Sequence, residues 1–211
     1  MGECANAGRD KLTLVIDQPL ATLGLWIEQL IAESTGKEGK GILPVNGELL
    51  GGPEVYGDDR LFVSVSLGGL DGETKTKLDA LAAAGHPMAY RQVENFYDLG
   101  AEFFAWEFAT ACAGWRLGIN PFDQPNVQEA KDATKELLSS FVRRGRLDER
   151  VTIATDHVLT IYGAEEQGDV SVEEVLRAQL AKVKPGDYIA FLNYIEETTD
   201  VDEEFQDLRT R

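Results

Sequence analysis

Short apolar runs alternate with longer helical patterns along this chain, and the alternation restricts its fold more than any other feature. The runs are bounded by charged or glycine-rich segments, which is typical of buried strands. Strands are expected at 12–16, 41–45, 61–66, 88–93, within 151–162 and at 188–192. Helices are expected at 20–33, 73–84, 99–117, about 124–141 and 171–183. Strands that alternate with helices predict a three-layer α/β fold, in which helices flank a mainly parallel sheet.

The predicted topology also indicates where a ligand should bind. In open parallel sheets, ligands bind beyond the carboxyl ends of the strands. We therefore expect a binding site among the loops that follow Ile16, Val45, Ser66 and Val93.

The charge balance excludes two classes of partner. The chain carries 37 acidic residues against 20 Lys and Arg, a formal net charge of −17. Nucleic acids and anionic membrane surfaces attract basic patches, so neither is an expected partner. A small anionic substrate remains compatible with this charge, because a local basic pocket can lie inside an acidic surface.

Cysteine content and the terminal segments bear on location and domain organisation. Cys4 and Cys112 lack metal-binding spacing, so no zinc site or disulfide framework is predicted, and a cytoplasmic location fits. No secretory signal is recognisable, and no apolar run approaches the roughly 20 residues that span a bilayer. We expect a flexible tail at 1–10, one domain at 11–195, and at 196–211 an acidic tail or the start of a truncated terminal element.

The first stretch with a chemical pattern is the end of the helix predicted at 20–33. Gln29 and Glu33 are four residues apart and so share one helix face. A carboxylate near the negative end of a helix dipole is unfavourable by about 0.3–1 kcal/mol, and is tolerated more readily where it has a function. The spacing alone also fits a solvated carboxylate at a helix end.

The second stretch is 117–131, where an Asn-Pro pair and Asp123 end one helix and begin another. Gln124 and Lys131 are seven residues apart, two turns along one helix face. A helix N-terminus with an adjacent amide suits a phosphate or sugar oxygen. The same pattern also fits an amphipathic surface helix with an ordinary lysine.

Together the two stretches resemble the signature elements of glucose-6-phosphate isomerases. Glu33-Ser-Thr-Gly-Lys37 is similar to the family's Glu-Ser-Asn-Gly-Lys, and Phe122-Asp-Gln-Pro-Asn-Val-Gln-Glu-Ala-Lys131 is similar to Phe-Asp-Gln-x-Gly-Val-x-x-x-Lys. The fuller stretches 26–45 and 98–132 resemble the isomerase module of bifunctional transaldolase/glucose-6-phosphate isomerases. The resemblance covers most of 11–195 and implies a sugar-isomerase (SIS) type of α/β fold, in agreement with the predicted sheet.

This resemblance implies an activity, the interconversion of glucose 6-phosphate and fructose 6-phosphate through a cis-enediol. Glu33 would move the proton between C1 and C2, and Lys131 would assist ring opening and stabilise negative oxygen. Further substrate contacts are implied for Gln29, Ser34, Lys37 and, at the phosphate, Gln124. No metal or organic cofactor is expected. Lys37, Lys40 and Lys131 are expected to gather near the phosphate.

Some features of the family are missing from this sequence. It has no Gly-Gly-Arg-Phe/Tyr-Ser signature of a first SIS domain and no Gly-Gln-His segment, and Asn126 replaces a glycine. His86, which follows a glycine at a helix end, is expected to be a surface or structural residue. We therefore expect the second SIS domain of a larger enzyme, with a first SIS domain and a transaldolase domain of the same enzyme as partners. Such a chain would be weakly active or inactive alone.

Two other classes of function remain open. One is a non-catalytic SIS domain that binds a sugar phosphate. The other is an interaction domain whose aromatic helix at 99–117 packs on a partner. Glu33 and Lys131 together favour catalysis, because binding alone does not require a carboxylate that carries protons.

Overall fold

The computed structural model describes the chain in two compact units. The described residues are 1–123, 125–147, 150–163, 169–196 and 198–209, with the side chain of Asn126 left out. The first unit combines Met1–Asn126 with Glu196–Arg211, and the second is Val127–Ile195. The boundaries of these two units differ from those of the single domain expected at 11–195.

Seven α-helices are assigned within these described ranges. In chain order they are α1 (Gly2–Asn6), α2 (Ala21–Thr35), α3 (Gly72–Ala83), α4 (Leu99–Leu117), α5 (Pro125–Arg144), α6 (Val172–Leu180) and α7 (Thr199–Arg209). Three short 3-10 turns precede or connect them, at Gln18–Leu20, Pro53–Val55 and Phe96–Asp98.

A sheet of four parallel strands forms the centre of the first unit. The strands are β1 (Lys11–Ile16), β2 (Leu43–Val45), β3 (Arg60–Leu67) and β4 (Met88–Val93). They lie in the order β2-β1-β3-β4, and all neighbours run parallel. Lys11 is in register with Leu43 on one side and Arg60 on the other. The strand β3 is buried along most of its length, as expected for an inner strand covered on both faces.

Helices cover this sheet on both faces. On one face, apolar residues of β1 and β3 form one core with side chains of α2 and α4, including Ile27, Ile31 and Trp106. On the other face, Phe62 packs with Leu78 and Leu81 of α3. The predicted fold class, a three-layer α/β fold with a parallel sheet flanked by helices, is confirmed.

The N-terminus differs from the flexible tail expected at 1–10. Residues Gly2–Asn6 form α1, which packs against α4. The backbones approach so closely that a Cβ atom on Gly2 would lie 2.8 Å from the Cβ of Arg116. The Asn6 amide donates a hydrogen bond to the carbonyl of Arg116 at 2.9 Å. The close approach at residue 2, this hydrogen bond and the packing of Met1, Cys4 and Ala5 on the core therefore order the segment.

The long helix α4 has one buried face and one exposed aromatic face. Its buried residues recur every three or four positions and include Trp106, Thr110, Ala113 and Leu117. Phe104, Phe108 and Trp115 lie on the opposite face and are exposed. This distribution explains why the sequence is apolar on more than one side.

A partly buried ion pair joins the start of α4 to the sheet. The guanidinium of Arg91 on β4 donates two hydrogen bonds to the Glu102 carboxylate, at 2.6 and 2.7 Å. Glu102 is buried, and its hydrogen bond raises the pKa of Arg91 above the ordinary value. The geometry is bidentate, which is the strong form of this interaction.

The second unit contains most of α5, a β-hairpin and α6. The predicted strand pair within 151–162 is present as the antiparallel strands β5 (Val151–Thr155) and β6 (Thr160–Gly163). At the start of α6, the side chains of Ser171 and Glu174 form the capping box that their spacing predicts. Val172 and Val175 of this helix pack on Ala154.

The strand predicted at 188–192 is wrong. These residues run without regular secondary structure, and their large apolar side chains are exposed. An apolar run becomes a strand only where a neighbouring strand completes its backbone hydrogen bonds. In the described part of the chain, no strand pairs with them.

The acidic segment that starts at 196 leads into a helix of the first unit. Within α7, the Gln206 amide donates to the carbonyl of Gly47 at 2.8 Å. Arg209 donates to the neighbouring carbonyl of Asn46 at 3.1 Å. These contacts hold α7 against the segment that follows β2.

Candidate functional site

The first candidate segment is the last part of α2. Gln29 and Glu33 share a helix face as predicted, because the Gln29 amide donates a hydrogen bond to the Glu33 carboxylate at 3.1 Å. Both side chains are exposed and line a shallow depression of about 220 Å³. Ser34, Trp26 and Leu30 complete its lining. The carboxylate is therefore held by an amide on one side and remains accessible on the other.

A tight turn follows α2 and sets the direction of two lysines. Lys37 and Lys40 exchange backbone hydrogen bonds in both directions, at 3.1 and 3.0 Å. The two central residues, Glu38 and Gly39, both have positive φ angles, 56° and 70°. This is the geometry of a type I′ turn, which favours glycine because the left-handed region is strained for other residues.

The Lys37 side chain is buried and fully occupied by the loop that joins α4 to α5. Its exposed fraction is 3%, and its ammonium group contacts Asp123 Oδ1 at 2.9 Å. The same group donates to the backbone carbonyls of Asn120, at 3.0 Å, and Asp123. A lysine ammonium has three N–H donors, so these three acceptors satisfy it.

Lys40 makes the neighbouring contact to the end of α4. Its ammonium group donates to the carbonyl of Leu117 at 2.7 Å, one of the carbonyls that a helix end leaves without an intrahelical partner. A cation is favourable at this negative end of the helix dipole. Gly118 follows with φ 68°, the left-handed conformation that commonly ends a helix.

The end of α2 and the end of α4 lie at one edge of the sheet. The loops in which a site was expected lie at the opposite edge. A helix between parallel strands runs back across the sheet, so α2 ends near the amino end of β2. The contacts of Lys37 and Lys40 place the end of α4 at the same edge. The resemblance to signature elements and the strand-end rule therefore point to opposite edges. Of the residues that carry the resemblance, the structure brings Lys37 into contact with Asp123, near the start of the second stretch.

The loop after α4 also depends on a close approach to the helix itself. A Cβ atom on Gly114 would lie 2.7 Å from Cγ of Pro121, a distance that real Cβ atoms do not tolerate. The loop that carries Asn120 and Asp123 is therefore packed directly on the backbone of α4.

Replacing this glycine should displace the loop. We expect Gly114→Ala to lower the free energy of unfolding by about 1–3 kcal/mol, the usual cost of overpacking a filled site. Gly100→Ala in the same helix has no atom within 4 Å of the new Cβ and should raise the free energy of unfolding by up to about 1 kcal/mol. Urea titration of both variants measures the difference. Equal stabilisation by the two substitutions would contradict the close packing.

Two predicted site residues are not described together with the residues of the first unit. Gln124 lies outside the described residues. Lys131 belongs to α5 in the second unit, where it is exposed and lines a shallow surface with Val127, Ala130 and Thr134. The predicted gathering of Lys37, Lys40 and Lys131 is thus described only for the first two, and those bind the protein's own carbonyls.

Other candidate chemistry is sparse in the described part of the chain. Across these ranges, no group of three His, Cys, Asp or Glu residues is arranged to hold a metal ion. His86 is buried as a structural residue, with its ring edge-on to Phe62 and Tyr56 at centroid distances of 5.3 and 6.3 Å. Among the described helices, none is long and apolar enough to cross a membrane.

The fold itself has a counterpart among solved structures. The hypothetical protein TT0462 from Thermus thermophilus superposes with a TM-score of 0.52 at 20% identity. The match covers 65% of this chain and 44% of the other. It supports the α/β fold class.

Curated relatives extend the similarity to a family. The chain is 30% identical to the glucose-6-phosphate isomerase of Heliobacterium modesticaldum over 160 residues, which covers 57% of this chain and 35% of that protein. It is 28% identical to the isomerase of Rubrobacter xylanophilus over 182 residues, with 67% and 40% covered. No protein-family profile matches the chain.

These partial matches support a relationship to glucose-6-phosphate isomerases. The chain spans about a third of the length of the first relatives it matches. For this chain, the activity, substrate and partners of these relatives are therefore proposals.

Proposed function

We propose that this chain is part of a glucose-6-phosphate isomerase and carries the carboxylate that transfers a proton between C1 and C2. The substrates are glucose 6-phosphate and fructose 6-phosphate, and the intermediate is a cis-enediol. The observation that carries the proposal is the exposed Glu33 carboxylate, held by Gln29 within a segment that resembles a family signature.

The chemistry explains why a carboxylate is needed at this position. Aldose–ketose isomerisation removes a proton from one carbon and returns it to the neighbouring carbon. A single group performs both steps only if it can accept the proton from one carbon and release it to the next. In this proposal Glu33 is that group, Gln29 and Ser34 contact the sugar, Gln124 binds the phosphate, and Lys131 assists ring opening.

The shape of the depression supports activity only in a larger assembly. Sites that enclose small ligands usually measure about 300–1,000 Å³ and bury most of the ligand. The depression beside Glu33 is smaller and lined by one face of α2. We infer that other segments of the enzyme, proposed to be a first SIS domain and a transaldolase domain, complete the enclosure, and that the chain alone has little activity.

Deuterium exchange tests the proposal directly. In D2O, the full gene product that contains this sequence should place deuterium at C2 of glucose 6-phosphate and form fructose 6-phosphate, as followed by NMR. Residues 1–211 alone should show little exchange. A full gene product without exchange would overturn the isomerase proposal, and turnover by residues 1–211 alone equal to that of the full product would overturn the need for further segments.

The alternative is a non-catalytic SIS domain that binds a sugar phosphate. It predicts saturable binding of glucose 6-phosphate by calorimetry together with no exchange at C2. The exposed carboxylate with its amide partner favours the catalytic interpretation, because binding alone does not require a carboxylate that carries protons.

A further inference from the structure

We propose that Lys37 is a positioning residue that acts through the loop 118–123, and that it does not bind the substrate phosphate. This inference rests on the proposed function and deepens it. Lys37 and its three acceptors, the carbonyls of Asn120 and Asp123 and the carboxylate of Asp123, form what we call the lysine clamp.

The Lys37 ammonium group has no donor left for a ligand. Its ammonium group makes three contacts, which equals its number of N–H donors. Its side chain is 3% exposed, whereas Glu33 and Gln29 on the preceding helix are exposed. A phosphate group could reach this lysine only by displacing a protein acceptor.

The charge beside Lys37 also disfavours an anionic ligand. The Asp123 carboxylate lies 2.9 Å from the ammonium group and its side chain is 51% exposed. A phosphate that approached Lys37 from solvent would meet this carboxylate, and two anions at close range repel each other. The pair is thus arranged to neutralise the lysine internally.

The lysine clamp connects the segment after α2 to the loop after α4. Lys37 follows Glu33 by four residues, at the end of α2, and its acceptors lie in the loop that ends α4. The Asp123 carbonyl belongs to the planar peptide group that joins Asp123 to Gln124. Holding this carbonyl therefore sets where the second signature stretch begins relative to the helix that carries Glu33.

Amide hydrogen exchange in the loop 118–123 tests the lysine clamp without a measurement of activity. In residues 1–211, Lys37→Met should raise amide hydrogen exchange in the loop 118–123 by about tenfold or more, because the loop loses its buried contacts. Exchange in β1 and β3 should change less. Lys75→Met, on the exposed surface of α3, is the matched control and should leave the loop unchanged. Unchanged loop exchange in Lys37→Met would overturn the clamp.

Kinetics of the full gene product then test positioning against binding. Lys37→Met should lower kcat about 10–100-fold, since small misplacements of reacting groups have effects of this size, with KM for glucose 6-phosphate within about threefold of wild type. Direct phosphate binding predicts instead that KM rises about 10–100-fold, the size of a lost charge-assisted hydrogen bond. That result would overturn the proposal, as would a kcat equal to wild type.

A second variant tests the lysine clamp even if Lys37→Met does not fold. Asp123→Asn retains both backbone carbonyls and removes only the charged partner, so it should lower kcat in the same direction but by less. In the Lys37→Met background it should have almost no further effect, because interacting residues are not additive. Additive losses would overturn the clamp. A wild-type protein without isomerase activity would overturn the proposed function and the positioning role together, while loop exchange would still report whether Lys37 holds the loop.

Discussion

Glu33→Gln is expected to lower the rate of glucose 6-phosphate isomerisation by the full gene product about 10²–10⁴-fold, the usual contribution of a general acid–base. An amide has the shape of the carboxylate and can still accept the hydrogen bond from Gln29. It cannot take up the substrate proton and return it. The loss should therefore appear in kcat and in C2 exchange, while KM stays within about threefold of wild type.

A matched control lies on the same helix. Glu28→Gln removes an exposed carboxylate from α2 outside the depression and should leave kcat within about twofold of wild type. Circular dichroism of both variants verifies that α2 is retained. Isomerisation by Glu33→Gln within about threefold of wild type would remove Glu33 from the proton transfer.

The largest effect on stability is expected at Trp106. This side chain is 4% exposed and belongs to the core that joins α4 to the sheet and α2. Trp106→Ala should lower the free energy of unfolding of the first unit by about 3–5 kcal/mol, because a large cavity forms within a packed interior. Amide hydrogen exchange in β3 measures this unit separately from the second.

Trp115 provides the comparison within the same helix. It is 75% exposed, and its ring stacks with the guanidinium of Arg116 at 5.4 Å. Trp115→Ala should change the free energy of unfolding by less than about 1 kcal/mol, the size of an exposed cation–π contact. Equal losses for the two tryptophans would contradict the division of α4 into a buried and an exposed face.

Local patterns predicted the strands and helices of the first unit well. The bounds of β4 and α4 were predicted as they occur, since each is a periodic segment with clear ends. The strand predicted at 188–192 failed because its apolar composition matches a strand but its hydrogen-bonding partner is a matter of tertiary structure. The N-terminal helix α1 was missed for the converse reason, since its order comes from packing on α4.

For the candidate site too, local spacing was predictable from the sequence and long-range contacts were not. The spacing of Gln29 and Glu33 predicts their shared face, because residues four apart are neighbours on any α-helix. Nothing in the sequence distinguishes a lysine that binds a ligand from one that binds a carbonyl. The acceptors of Lys37 are more than 80 residues away, at Asn120 and Asp123.

By itself, the sequence determined the class of fold and the similarity to glucose-6-phosphate isomerases. Hydrophobic periodicity reports which face of a segment is buried, and short motifs carry chemistry in their residue types. Only the tertiary structure decided that the end of the first signature stretch contacts the start of the second at the amino edge of the sheet, with the Lys37 ammonium group bound to Asn120 and Asp123. The acceptors of a buried lysine can lie in segments that are distant along the chain. Those segments reach it only when the helices pack on the sheet.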